Sequence, residues 1–222
     1  MTDHTRHSGI FAPLEGRITL IGAGGIGALT AVVLAKMSDG ELEIWDADTV
    51  DPINIATQYH TVHHIGMNKA AATAEMVSLY SDSCEVGANG MNFPGEFEFL
   101  PSRFVVSAVD SIKSRKAIWA ALKGKMWEYY LDARMSAEVF QLYTVSAKNV
   151  EWYEHMLGLQ DDAEIADIPC TAKATIYTAA FAAGHIGKTI RELVTGKNPP
   201  IFLEHDIIAE RITVAYGTEG HT

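Results

Sequence analysis

The chain has 222 residues, enough for one substantial core, and its make-up (48% hydrophobic, 20% charged) is ordinary for a globular protein in water. Its net charge of −11 argues against a phosphate-backbone nucleic-acid partner, whose affinity comes from Lys and Arg, but leaves room for a small anion such as ATP held by local amides. The two cysteines, Cys84 and Cys170, lie far apart with no C-x-x-C pair, which excludes a Cys-rich zinc knuckle and gives no sign of a disulfide framework.

The N-terminal segment, MTDHTRHSGIFAPLEG, has no apolar signal-peptide core, and no run is long enough to span a bilayer, so a cytoplasmic location without a membrane partner is expected. Residues 18–22 form an apolar, β-rich run that stops at glycine, and Gly27–Met37 follows as an Ala/Leu-rich helix. Glu41–Trp45 reads as a second strand, which completes a βαβ unit of about 30 residues. His60–Gly66 is expected to be a loop and Asn68–Tyr80 a helix. Phe104–Ala108 is continuously apolar, as in a strand buried on both faces, and Ser111–Lys123 reads as the helix after it. Tyr129–Asp132 and Glu138–Val145 alternate as strands. Leu159–Pro169 is an acidic loop. Thr171–Leu193 reads as a long helix and Glu210–Tyr216 as a closing strand. Within that helix the apolar stretch Ala172–Ile190 is interrupted by Lys173, Gly184, His185 and Lys188, so it is buried in protein rather than in lipid. The fold class is therefore α/β, a Rossmann-like open, mostly parallel sheet with an antiparallel C-terminal portion.

Gly22, Gly24 and Gly27 fit G-x-G-x-x-G between a strand and a helix, a turn in which the backbone must approach a phosphate without Cβ atoms in the way. The free amides of the helix N-terminus then face the phosphates. Asp46 ends the second strand about 20 residues later, where an acidic residue binds ribose hydroxyls. To this point an NAD(P)-dependent oxidoreductase fits equally well.

The residues that follow separate the readings. Asp46, Asp48, Val50, Asn54 and Gln58 form D-x-D-x-V-x-x-x-N-x-x-x-Q, Gly66–Lys69 forms G-x-x-K at a helix start, and Asp110 follows a strand. This constellation resembles the E1-like ThiF/MoeB/HesA family of adenylyltransferases, over residues 6–135 with order and spacing intact and more loosely over Cys170–Ile190. The resemblance implies one adenylation domain over residues 1–222. Residues 6–135 would be the nucleotide-binding core, and residues 136–222 would hold antiparallel strands, a crossover loop over Trp152–Cys170 and the C-terminal helix. It also implies ATP and Mg²⁺ as cofactors, a homodimer, and as partner a ubiquitin-like or peptide carrier with a free C-terminal carboxylate. Carried over by position, Gly22, Gly24, Gly25 and Gly27 shape the phosphate loop, Asp46 binds the ribose, and Asp48 and Gln58 support the site. Asn54 and Lys69 contact phosphates, and Asp110 holds Mg²⁺.

Two departures stand out. Family members commonly carry an arginine just before the glutamine, where this chain has Thr57, and many carry two C-x-x-C pairs, which this chain lacks. Arg6 resembles the N-terminal arginine that family dimers extend into the neighbouring site, although a solvated leader residue fits equally well. Arg115 and Arg134 could replace the missing cation or pair with carboxylates at the surface. Cys170, before a long helix and three residues from Lys173, is either a thioester-forming nucleophile or a buried small residue. Cys84 reads as structural, and the spacing of His60, His63 and His64 gives little support to a metal site. Besides the adenylyltransferase, the oxidoreductase and a catalytically weak ThiF-like scaffold stay open.

Overall fold

The computed structural model describes residues 2–93, 99–160 and 174–217. Its frame is an eight-stranded sheet in the order β3-β2-β1-β4-β5-β6-β7-β8. The first half is β1 (Arg17–Ile21), α1 (Gly25–Met37), β2 (Glu41–Trp45), α2 (Lys69–Ser78), β3 (Glu85–Asn89), β4 (Ser102–Ser107) and α3 (Ile112–Leu122). The second half is β5 (Trp127–Ser136), β6 (Val139–Val145), α4 (Val150–Gly158), α5 (Ile176–Val194), β7 (Phe202–Asp206) and β8 (Arg211–Ala215). From β3 to β5 every pairing is parallel; β5–β6, β6–β7 and β7–β8 are antiparallel. The expected mostly parallel sheet with an antiparallel C-terminal portion is what the chain forms.

Side-chain alternation along the strands divides the core into two layers. Leu20, Phe104, Val106, Leu131 and Leu142 point to the face covered by α1, α2 and α5. Ile21, Val105, Tyr130, Tyr143 and Val145 point to the other, where α3 and α4 contribute Ile118, Trp119, Tyr153 and Leu157. Helices on both faces explain why the central parallel strands β1 and β4 read as largely apolar runs.

The chain leaves β1 toward β2 and β3, then returns to the other side of β1 as β4. This reversal opens a crevice beyond the carboxyl ends of the two central strands. Register places Trp45, Ile21, Ser107 and Asp132 in one row at those ends. The loops that leave the row carry the glycine turn, Asp46 and Asp110.

Several elements correct the sequence reading. Strand β3 was not expected: its residues, EVGAN, are mostly exposed at the sheet's edge and give no apolar run. Strand β7 was also not expected, because FLEHD is more than half polar. Trp152, assigned above to a crossover loop, lies in helix α4, which buries only Tyr153 and Leu157 and so shows a weak helical pattern. Helix α5 starts at Ile176, later than expected, because Thr175 is extended and its side chain accepts the Thr178 amide as an N-cap, while Ala174 bridges to Ala137. The expected loop His60–Gly66 holds a short 3₁₀ turn, Val62–His64. Among the described residues no helix is long and apolar enough to cross a membrane.

Candidate functional site

The glycine turn is fixed by contacts that leave no room for side chains. At Gly22 φ is +95°, and a Cβ there would lie 2.7 Å from the Ala108 carbonyl oxygen; at Gly27 a Cβ would lie 1.8 Å from the Gly22 carbonyl oxygen. Both sites require glycine, the first for conformation and close approach, the second for the packing of α1 onto the turn. Gly24 caps α1, so the helix N-terminus points into the crevice.

Asp46 is tied to this turn. Its carboxylate accepts the Ala23 amide at 2.6 Å and the Asp48 amide at 2.8 Å. Burial holds its pKa above the ordinary carboxylate value, although these two donors and Lys69 pull the other way. Lys69 opens α2, and its Nζ donates to Asp48 Oδ2 at 2.9 Å. Asn68, not singled out from the sequence, organises this corner. Its Nδ2 donates to the Asp46 and Asp48 carbonyls at 2.8 and 3.1 Å, and its Oδ1 accepts the Ala71 amide as an N-cap. The run from Asp46 to Lys69 is thus a loop closed on itself, with the acidic and basic side chains on one side of the crevice.

A cavity of about 740 Å³ fills the crevice, a size suited to a nucleotide. Gly22, Gly24 and Gly25 form part of its wall with Asp46; Asp48, Gln58 and Lys69 line a second part, and Asp110 a third. Eight of the expected residues therefore meet at one place. Gly27 lies beneath the turn. Asn54 does not line the cavity; its Oδ1 accepts the Asp51 amide at 2.9 Å and its carbonyl accepts the Gln58 amide, so it shapes the loop that presents Gln58. Arg6 is exposed, in a segment whose neighbours bond to Asp39, Ser83 and Asp82 near the amino ends of β2 and β3, so within one chain it lies far from the cavity. Cys170 lies outside the described residues.

Arg115 and Arg134 correct an expectation more sharply. The carboxylate they pair with is that of Asp132, which is fully buried rather than at the surface. Neither guanidinium lines the cavity, so among its described lining residues Lys69 is the one basic side chain facing three carboxylates.

Sequence reasoning also missed the apolar walls. Trp45 and Phe93, in edge contact with ring centroids 5.4 Å apart, line the cavity together with Ile118. His60 was weighed only as a metal ligand. It is buried, with Nε2 at 3.0 Å from Thr73 Oγ1 and Nδ1 at 3.3 Å from Gln58 Oε1, and so braces Gln58. Burial, with smaller contributions from His64 and Lys69, lowers its pKa to about 4. Because the unfolded imidazole titrates near 6.5, the unfolded chain binds the extra proton between those values, and stability falls as pH drops from about 6.5 toward about 4. Denaturant melts should show a shallower loss over this window in His60→Gln than in the parent chain; equal losses would remove His60 from the account. Cys84 is buried as expected, and burial pushes its thiol up to about 11.

Residues 12–215 match the model of the ThiF family. The chain belongs to the ThiF family. Among curated proteins it is similar to ubiquitin-like modifier-activating enzyme 5 of Drosophila melanogaster, 28% identical over 119 residues, or 47% of this chain and 30% of that protein. The same enzyme of Aedes aegypti is 26% identical over 116 residues, 46% of this chain and 29% of that one. Among solved structures, E. coli MccB with ATP superposes with a TM-score of 0.69 at 14% identity, covering 90% of this chain and 63% of that one. PaaA gives 0.68 at 17%, with the same coverage. At such identities the likeness shows a shared fold. This ThiF-family chain spans about 30% of the length of the curated relatives it matches and 63% of those solved chains.

Proposed function

We propose that the chain is an E1-like, ATP-dependent adenylyltransferase that activates the C-terminal carboxylate of a ubiquitin-like or peptide carrier. The observation that carries this reading is the meeting of the glycine turn, Asp46, Lys69 and Asp110 in one cavity at the sheet's switch point. Family membership supports it, as do relatives named for activating ubiquitin-like modifiers and a neighbour, MccB, crystallised both with ATP and with MccA. The unit at work is the single adenylation domain over residues 1–222.

In the reaction a carboxylate oxygen of the carrier attacks the α-phosphorus of ATP. The bond from that phosphorus to the α–β bridging oxygen breaks, its electrons leave with pyrophosphate, and an acyl-adenylate remains. Two anions must be brought together, so the protein's tasks are neutralisation and alignment. The amides at the start of α1 take phosphate oxygens, Asp46 takes the ribose hydroxyls, and the Trp45–Phe93 wall packs on the base. Lys69 exchanges Asp48 for a phosphate, its flexible stem allowing the move. Asp110 is an exposed carboxylate on the cavity wall, a hard oxygen donor of the kind Mg²⁺ prefers with water completing its shell. When bound there, Mg²⁺ supplies positive charge to the phosphates.

One lysine against three carboxylates leaves the site short of cations, and within one chain Arg6 is too far away to help. We assign Arg6 to the neighbouring site of a homodimer. A separate apolar surface lies at the opposite edge of the sheet from the Arg6 segment: Ile212 and Val214 of β8 and Tyr216 just after it are exposed, and Phe181 and Tyr177 of α5 are half-exposed. Purified chain is tested for ATP–pyrophosphate exchange with candidate carriers. Arg6→Ala and Lys69→Ala chains, each inactive alone, should regain exchange when mixed, because a mixed dimer contains one site with both residues intact. A mixture as inactive as its components would overturn the shared-site reading. A chain that neither binds ATP nor supports exchange with any carrier would be a scaffold instead.

A further inference from the structure

Beside the cavity lies a buried charge cluster that the reaction above does not use. Asp132, at the carboxyl end of β5, is fully buried. Its carboxylate accepts from Arg115 Nη1, from Arg134 Nε at 2.9 Å and from the Tyr153 hydroxyl at 2.8 Å. Arg134 is completed by the ring of Tyr143, 4.2 Å from its guanidinium carbon, and by the Gln160 side-chain oxygen. Elements α3, β5 and α4 therefore converge on one carboxylate, and β6 packs Tyr143 on one of its partners.

Arg115 does more than neutralise. Besides Asp132, its Nη1 donates to the Ala133 carbonyl at 3.1 Å, and its Nη2 donates to the carbonyl of Val109. Val109 immediately precedes Asp110, in the turn between β4 and α3. One side of that turn is held by Ser111, whose Oγ caps α3 by accepting the Ser114 amide at 3.1 Å. On the other side, among the described residues, the Arg115 guanidinium is the side chain that bonds to the Val109 carbonyl. A planar fork with donors in fixed directions can bridge a strand-end carboxylate and a turn carbonyl; an ammonium, as a point charge, cannot hold the same two-sided geometry. A buried ion cluster is weak evidence for stability, since well-packed apolar residues often do as well.

We propose that Arg115, clamped by Asp132, is a positioning residue that sets the Val109–Asp110 turn and thereby the direction of the Asp110 carboxylate. The part of this that concerns Mg²⁺ rests on the adenylyltransferase reading; the part that concerns the turn does not. Arg115→Lys keeps the buried positive charge and loses the fork. In the metal-free, nucleotide-free chain, amide hydrogen exchange should quicken at least tenfold at 109–112 in Arg115→Lys, with α1 and the central strands unchanged. ATP binding measured calorimetrically across a Mg²⁺ titration should then need several-fold more Mg²⁺ for half-effect, while ATP affinity without Mg²⁺ stays at the parent value.

Unchanged exchange at 109–112 would overturn the proposal, and so would exchange that quickens equally throughout the fold, since that is the mark of a merely structural residue. If the parent chain shows no Mg²⁺-dependent ATP binding, the function reading fails while the exchange result still decides the turn. Should Arg115→Lys fail to fold, Tyr153→Phe decides in its place: it keeps the ring packing, loses one bond to Asp132, and must shift exchange at 109–112 in the same direction by a smaller factor. No shift in Tyr153→Phe would count against the proposal.

Discussion

Lys69→Ala is expected to lower ATP–pyrophosphate exchange by about 100-fold or more, the usual cost of removing one charge-stabilising donor from a phosphoryl-type site. The size follows from scarcity. Among the described residues lining the cavity Lys69 is the one basic side chain, while Arg115 and Arg134 are committed to Asp132. A protein with several cations at the phosphates would tolerate the loss better. Asp110→Ala should be as damaging, with the difference that raising Mg²⁺ restores part of the exchange for Asp110→Asn and none for Lys69→Ala. Exchange within threefold of the parent in Lys69→Ala would remove this residue from the phosphate site. Asp110→Ala should melt near the parent temperature because Asp110 is exposed, whereas Lys69→Ala should melt somewhat lower, since Lys69 is buried and loses the packing of its stem as well as its ion pair.

Asp132→Ala is expected to act on stability instead. Burial alone would raise the Asp132 pKa, but Arg115, Arg134 and the Tyr153 hydroxyl outweigh it and hold the carboxyl below its ordinary value. Truncation leaves two buried guanidinium groups without their counter-charge, a loss of about 3–5 kcal/mol. Against a total of roughly 5–15 kcal/mol, this removes much of the margin of a small domain. Urea melts of the purified chain measure it directly, and a change under about 1 kcal/mol would contradict the buried pairing of Asp132 with both guanidinium groups. The same linkage fixes a pH effect. Because the folded carboxyl is the stronger acid, its contribution is present above the unfolded value near 3.9 and is lost as pH falls below it. Asp132→Asn should flatten that part of the acid limb.

The elements that surround the site were legible in the sequence because each has a strong local cause. Helix α1 follows a turn that needs glycine, β2 was placed at Glu41–Trp45 as the strand that completes a βαβ unit, and β4 is apolar because helices cover both faces. The polar positions from Asp46 to Asp110 were legible through their order and spacing, and five of them, Asp46, Asp48, Gln58, Lys69 and Asp110, line one cavity. What stayed hidden depends on long-range neighbours. Strand β3 is an edge strand with little to bury, and α4 shows only two buried residues, so neither leaves a periodic trace. Asn68 read only as the first residue of a helix, and its two bonds to the Asp46–Asp48 loop depend on how α2 packs beside β2. Arg115, Asp132, Arg134 and Tyr153 are spread over 39 sequence positions; only the sheet's register brings them together. Arg134 and Arg115 were noticed as charges, but their direction, inward to one carboxylate, is a property of the packed core.

The most direct test of the central claim is nucleotide choice, because the glycine turn and Asp46 alone would serve NAD(P) as well as ATP. Calorimetric titration of the purified chain with ATP, with and without Mg²⁺, and then with NAD and NADP as competitors decides it. The account predicts ATP binding that tightens with Mg²⁺, is weakened by Lys69→Ala, and is not displaced by either dinucleotide. Binding of NAD or NADP with no measurable binding of ATP would contradict it.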